Sequence, residues 1–434
     1  MACCRKHEKE KKDDNEFSPC GRWSSKASMI TARELFAGAS GPDQDSTGTL
    51  SIDSNPRAYV CGGTDINGNP LSLCEKYDPN TDTWTAIASM PEARSGCVGT
   101  FVPDYSKTQL ETLGYIYVAG GSNGVLDKTD SLFRYNIKQN LWEIMDPLPI
   151  AVFNSNLDYL DDIGGPLAQL FIAVTGVDLP PCTDSQIIWL VGGKDTEKKT
   201  FFVFSNIQGE IVSEWFEGPD LPLFRTNPLV GRVFWRDAGI TSFGVSNCAS
   251  IVICGGRDGR GRIRRDVQLL IRDSRCNWKW IDTENNPSEI PDNILTLAIP
   301  MAQGDAGGEL FPETLITGGR LILFGGDPEI QNQGPTQFGQ FRFFNGRYQR
   351  DPILGPTKSR KSAWQITTSM PGFRTNFRAL PLSQENSSEF GGNRVSRFLV
   401  VGGRTQDGVT DRSQLFQLPV LPPWIIIRGN RGDG

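Results

Sequence analysis

The sequence predicts an all-β protein built from six repeats of four short antiparallel strands, and three observations carry that prediction. An apolar run ending in Gly-Gly occurs six times. A pair of aromatic residues, the second a Trp, keeps step with it. Between these markers lie short runs rich in Val, Ile, Tyr, Phe and Trp, punctuated by the turn sequences DINGN, SNG, RDGRG and QDG, and no long segment of 3.6-residue periodicity competes.

The diglycines come first in each repeat. They are Gly62-Gly63 (YVCGG), Gly120-Gly121 (YVAGG), Gly192-Gly193 (WLVGG), Gly255-Gly256 (VICGG), Gly325-Gly326 (LFGG) and Gly402-Gly403 (LVVGG). Gly62 to Gly402 is 340 residues over five intervals, a mean of 68. Glycine lets the backbone turn and approach a neighbour where a Cβ would clash, so each diglycine is expected where an apolar strand ends and the chain turns.

The aromatic pair follows. Tyr77 precedes Trp84 by seven residues in YDPNTDTW, and Tyr135 precedes Trp142 by seven in YNIKQNLW. The spacing then loosens: Phe204 to Trp215 is eleven, RDSRCNWKW offers Trp278 or Trp280, and Phe344 to Trp364 is twenty. After the Trp comes W-x5-M/L-x3-R, which runs Trp84 to Arg94, Trp215 to Arg225 and Trp364 to Arg374; the Trp142 copy keeps Leu148 but has Val152 in place of Arg. One copy, Trp23 to Arg33, precedes the first diglycine.

Four strands per repeat with aromatics filling the space between repeats describe the blades of a six-bladed β-propeller. The expected organisation is a charged tail over 1–20, a single propeller over 21–427 and a short tail over 428–434. Six diglycines face seven candidate Trp residues of this kind, counting Trp23 and Trp424. The expectation is that the Trp23 strand completes the last blade and leaves no open sheet edge; the alternative is closure by Trp424.

On these residues the chain resembles the kelch-repeat family, whose blades carry a diglycine at the end of strand two and Tyr and Trp seven apart on strands three and four. The resemblance runs from about residue 23 to 424 and is unbroken in the first two repeats. The mean of 68 exceeds the roughly 50 residues of a kelch unit, so the surplus is expected in loops. The resemblance implies a rigid ring whose loops bind another protein. Many relatives join such a ring to a BTB or F-box module, and the stretch before the first repeat is short for one.

Composition narrows the chemistry. With 44 Lys+Arg against 50 Asp+Glu the net charge is -6 and the pI about 5.2, unlike a dedicated nucleic-acid binder. The single His7 lies in the charged tail, so Ser-His-Asp and Cys-His sites and His-based metal sites have no imidazole to use. The N-terminus lacks the apolar core of a secretory signal, and no run approaches a membrane span. A cytoplasmic, monomeric protein with its ten cysteines reduced is expected, with no cofactor and no metal. Cys3, Cys4, His7 and Cys20 match no zinc spacing; acylation of Cys3 and Cys4 is the alternative for that tail. Cys61 and Cys254 read as small buried hydrophobes. A terminal Arg431-Gly432-Asp433 would need an extracellular setting to mean adhesion.

The geometry of a four-stranded blade puts the loop after the diglycine on the same face as the link to the next blade, and the candidate site is sought there. Arg257, Arg260, Arg262, Arg264 and Arg265 fall within nine residues of the fourth repeat. Guanidinium forks suit a carboxylate- or phosphate-bearing peptide; a solvated charged loop is the plainer reading. Arg33, Arg94, Arg225 and Arg374 recur once per unit, which favours a structural role, as does FRTN at 224–227 and 373–376. Asp65, Asp195, Asp258, Asp327 and Asp407 read as turn formers rather than a catalytic or Ca²⁺-binding ring. The insertion bearing Arg347, Arg350, Lys358, Arg360 and Lys361 is placed on the opposite face, where Ser359 and Ser362 are modification candidates.

The function expected is a non-catalytic interaction module, scaffold or adaptor, binding a protein partner of acidic character. The alternative is a carbohydrate-acting enzyme like the sialic-acid mutarotases of kelch type, which need only Arg and acidic channel residues. Galactose-oxidase-like copper chemistry and the E-x3-D-x3-H iron motif of specifier proteins both require histidines that the repeats lack.

Overall fold

Strand two of the first repeat is buried along its whole length because it is covered on both sides. RAYVC (Arg57–Cys61) is buried at every position, whereas TWTAI (Thr83–Ile87) buries Trp84 and leaves the Thr side chains on either side of it in solvent. The first is an inner strand sandwiched between neighbouring sheets; the second lies at a sheet edge. This difference explains why the sequence shows a continuous apolar run before each diglycine but a solitary Trp afterwards.

The computed structural model describes residues 21–42, 56–103, 114–161, 186–193, 198–205, 210–225, 228–236, 247–254, 257–260, 262, 267–272, 277–282, 320–322, 324, 339–342, 365–366, 370–372, 374–387 and 393–419. Strand β1 (Arg22–Lys26) opens the chain. Then come β2 (Ala37–Gly41), β3 (Arg57–Cys61), β4 (Cys74–Asp78) and β5 (Thr83–Ile87), forming a four-stranded antiparallel sheet in that order. The next sheet is β6 (Val98–Pro103), β7 (Gly114–Ala119), β8 (Leu132–Asn136) and β9 (Leu141–Met145). The third is β10 (Asn156–Asp161), β11 (Gln186–Val191), β12 (Thr200–Ser205) and β13 (Phe216–Glu217), and the fourth β14 (Leu229–Arg236), β15 (Asn247–Cys254), β16 (Val267–Arg272) and β17 (Trp278–Asp282). Three described strands follow: β18 (Arg320–Ile322), β19 (Gly339–Arg342) and β20 (Gln365–Ile366). The last sheet takes β21 (Arg378–Ser387) and β22 (Asn393–Val401), a small ribbon β23 (Arg404–Thr405) and β24 (Gly408–Val409) standing on the loop between β22 and β25 (Ser413–Pro419).

The first strand of the chain joins the last sheet. Its order is β1-β25-β22-β21, with Trp23 opposite Phe416. That is the register of Tyr77 with Trp84 and of Tyr135 with Trp142. Trp23 and Phe416 rings lie 4.8 Å apart, against 5.3 Å and 5.1 Å in those two pairs.

Among the described residues, separate apolar clusters pack sheet on sheet. Tyr59, Cys61, Cys74 and Cys97 meet Ile116, Phe133 and Tyr135 between the first two sheets. Val98, Tyr117 and Leu148 meet Ile188, Leu190 and Val203 between the next two, and Trp189 and Val191 meet Ile251, Leu270 and Trp280 beyond. Leu380, Leu399 and Leu415 of the last sheet pack on Ala58, Val60, Tyr77 and Trp84 of the first four-stranded sheet.

The described diglycines sit at positive φ, from Gly62 at 70° and Gly63 at 99° to Gly402 at 61° and Gly403 at 90°. A Cβ on Gly62 would lie 2.7 Å from the Arg94 carbonyl oxygen, so both conformation and space demand glycine. Gly255, Gly256, Gly325, Gly326 and Trp364, the tails 1–20 and 428–434, and Trp424 lie outside the described residues.

One expectation needs correcting and one open choice is decided. In the third sheet the cross-strand pair is Phe202 with Phe216, not Phe204 with Trp215. Trp215 stands just before the strand, because the longer connection carries its own bridge from Ser205 to Ile211. In the fourth sheet the choice falls on Trp280. It is buried and donates Nε1–H to Pro219 O at 3.1 Å, as Trp84 does to Ala27 O at 3.0 Å and Trp142 to Ala88 O at 2.8 Å. In each case the acceptor is the residue four past the preceding Trp: 23, 84 or 215.

Candidate functional site

The face that carries the loops after the diglycines is built on the link arginines. Arg33 is fully buried. Its Nη1 donates to Gly62 O at 2.8 Å and Leu73 O at 2.7 Å, and its Nη2 pairs with the Glu75 carboxylate. Glu75 also accepts from the backbone amides of Ile30 and Thr31, at 2.7 and 3.0 Å. Arg94 reaches forward to Ser131 Oγ at 3.0 Å, and Arg374 to Val400 O, Arg412 O and Gln414 Oε1. Arg225 is fully buried too. Arg33, Arg94 and Arg374 each tie a link to the region of the next diglycine turn, the structural role their recurrence suggests.

Above this layer the loops after the diglycines fold on their own acids. Asp258 Oδ1 accepts from the amides of Arg260 and Arg262 at 2.9 and 3.0 Å, and Oδ2 from Arg262 Nε at 2.8 Å. The hydrogen bond from the Arg262 backbone, then the Arg262 side chain, hold its pKa down to about 2. Asp65 repeats the arrangement with the amides of Asn67 and Asn69, both at 2.8 Å, and its pKa is lowered by the Asn69 amide above all. Asn123 does so with Val125 and Leu126. These are Asx turns. Asp407 is exposed beside Thr405; Asp195 and Asp327 lie outside the described residues.

Of the five clustered arginines the structure describes Arg257, Arg260 and Arg262. Arg257 is half-buried, and Arg260 and Arg262 are exposed at the loop tip. Arg262 is ion-paired to Asp258 at 2.8 Å, so part of the loop's charge is spent on its own shape. Arg264 and Arg265 lie outside the described residues, as do Cys3, Cys4, His7 and the insertion arginines.

Sequence reasoning passed over three features, the first two on this face and the third in the turns at the opposite end of the sheets. Glu34, buried beside Arg33, accepts from Arg404 Nε at 3.0 Å and Asn376 Nδ2 at 2.9 Å, joining the first link to the last loop. The loop tips of the first two sheets carry exposed apolar side chains: Ile66 at 69%, Val125 at 88% and Leu126 at 55% exposure. Asp82 and Asn140, each two residues before a Trp, sit at φ of 53° and 51° and accept from Tyr77 OH at 2.7 Å and Tyr135 OH at 2.8 Å. The preference of Asp and Asn for left-handed turns was the available signal.

Comparison with known proteins bears on this arrangement. The model described as "Kelch motif" matches residues 54–91 and 112–149, the two stretches that hold the diglycine, the paired Tyr and Trp, and the left-handed turn between them. The chain carries kelch repeats. Kelch-like protein 7 of Rattus norvegicus is 39% identical over 87 residues, 20% of this kelch-repeat chain and 13% of the relative. An F-box/kelch-repeat protein of Arabidopsis thaliana is 33% identical over 132 residues, 30% of this chain and 29% of the relative. The chain thus spans under a third of either relative. A solved structure described as "Structure of YjhT" aligns at TM-score 0.47 and 14% identity, over 90% of this chain and 96% of that one.

Proposed function

We propose that the kelch repeats close into a six-bladed ring with β1 as the fourth strand of the last blade. On this reading the ring is a non-catalytic cytoplasmic scaffold, and its diglycine-face loops bind a protein partner rich in acidic residues. Three repeated contacts support the closure. Gly403 N–H donates to Arg33 O at 2.8 Å, as Gly63 N–H does to Arg94 O at 2.7 Å and Gly121 N–H to Val152 O at 2.8 Å. Trp84 grips Ala27 as later Trp residues grip the link before them. Trp23 faces Phe416 as Trp84 faces Tyr77.

The observation that carries the binding reading is the contrast between two sets of arginines. Arg33 and Arg374 are buried and hydrogen-bonded inward, whereas Arg260 and Arg262 stand exposed on a turn pinned by Asp258. A guanidinium presented on a fixed backbone loses little freedom on meeting a carboxylate. The test is affinity capture from lysate, read by mass spectrometry, with the intact chain and with Arg260, Arg264 and Arg265 changed to Glu. Arg262 is kept, since its fork shapes the loop. A defined set of proteins held by the intact chain and lost from a variant of equal melting temperature is the expected result. Equal capture by both overturns the assignment of this face.

A further inference from the structure

Strands β3 and β4 set Cys61 and Cys74 directly opposite each other. The Gly62 amide donates to Leu73 O at 3.1 Å, which makes 62 with 73 a hydrogen-bonded pair and 61 with 74 the adjoining non-hydrogen-bonded one. At such a pair the Cα atoms lie about 4.5 Å apart with the side chains drawn together, inside the Cα span of roughly 4.4–6.8 Å that a disulfide takes. Both cysteines are buried on the same side of the sheet, in one cluster, and both are thiols. The corresponding strand pairs of the other described sheets are Ala119 with Leu132, Val191 with Thr200, Cys254 with Val267, and Val401 with Ser413. Ordinary packing at this place therefore needs no sulfur, yet the first sheet has it on both strands. Cys97 completes the group, its thiol donating toward Cys61 O at 3.8 Å.

We propose that Cys61 and Cys74 are a disulfide site that staples the loop 62–73, the loop carrying the Asp65 turn and the exposed Ile66, to the rim of the first sheet. The co-reactant is a small disulfide of the glutathione type, so the bond forms under oxidising conditions and the pair stays as thiols in a reducing cytoplasm. One cysteine, as thiolate, attacks a sulfur of that disulfide, forming a mixed disulfide and expelling one thiolate. The second cysteine then loses its proton and attacks the protein-side sulfur, so that the Cys61–Cys74 bond forms, the mixed bond breaks and the second small thiolate leaves. Two electrons pass from the cysteine pair to the small disulfide, and two small thiols are released. Burial pushes the Cys61 thiol up, and Cys97 up to about 11, so the closed fold resists attack; exchange belongs to folding, or to opening of the 62–73 loop.

The experiment refolds the full chain in a mixture of reduced and oxidised glutathione, blocks remaining thiols with N-ethylmaleimide and maps the digest by mass spectrometry. The expected result is a linked peptide pair holding Cys61 and Cys74, two hydrogens lighter than the separate peptides. Its melting temperature should exceed that of the reduced protein by about 3–6 °C. Cys97→Ser keeps the link, and Cys74→Ala abolishes both link and shift. Refolded native chain in which Cys61 and Cys74 are both alkylated, or in which Cys61 is bridged to Cys97, overturns the proposal.

Discussion

A buried guanidinium has to find acceptors for its donors and an anion for its charge, and the two copies best described here solve this differently. Arg33 has the Glu75 carboxylate. At the matching place Arg374 has the neutral Gln414 amide, with the Arg412 cation nearby. Burial first, then Arg412, pull the Arg374 pKa down to about 10. Gln414→Glu would supply the missing charge on the strand where the first repeat already has it. Replacing a neutral hydrogen bond by a charge-assisted one should stabilise by about 1 kcal/mol. Thermal denaturation near neutral pH should show a higher melting temperature for Gln414→Glu and a lower one for Glu75→Gln. A fall for Gln414→Glu would show that Arg374 has adapted to a neutral partner.

The diglycine-face loops show how far a local sequence dictates an element. RDGRGR and DINGN both place an Asp at the first position of a turn and close it with amides two and four residues on, so these Asx turns were legible as such. For Asp258 the folded pKa of about 2 lies below the ordinary 3.8. A depressed carboxylate contributes stability that is present above the ordinary value and is lost as pH falls through the folded one. The turn should therefore survive to about pH 3, with a carbon-13 carboxyl titration of Asp258 showing its midpoint near 2; a midpoint near 3.8 would mean that the turn is not held in solution. The diglycines and the first two Tyr-Trp pairs were legible because glycine and tryptophan are demanded by space that nothing else fills. Trp215 was not, since strand register depends on the length of a connection whose sequence carries no fixed mark. Glu34 and the Cys61–Cys74 pair were hidden for a related reason: they become sites only through partners brought close by strand pairing or by contact across 370 residues.

At the scale of the whole molecule, a row of sheets each packed on the next has two ends unless the last meets the first. The first four-stranded sheet packs on the last through Val60, Tyr77, Leu399 and Leu415. The β1 strand adds a second tie, since it pairs along five residues with β25 while its own link runs on through Arg33 into the first diglycine. If β1 is an ordinary fourth strand, Trp23 should matter as much as Trp142, its half-buried counterpart on β9. Trp23→Ala and Trp142→Ala are each expected to cost about 3 kcal/mol, the lower end for an aromatic truncation, read as a lowered denaturant midpoint. Deleting residues 1–26 should go further. It uncovers the edge of β25, leaving unpaired N–H and C=O groups that recruit other strands, so the truncated chain should melt lower and gain oligomers by sedimentation. A truncated chain that stays monomeric with an unchanged midpoint would remove β1 from the closure and leave the ring to be completed elsewhere in the sequence.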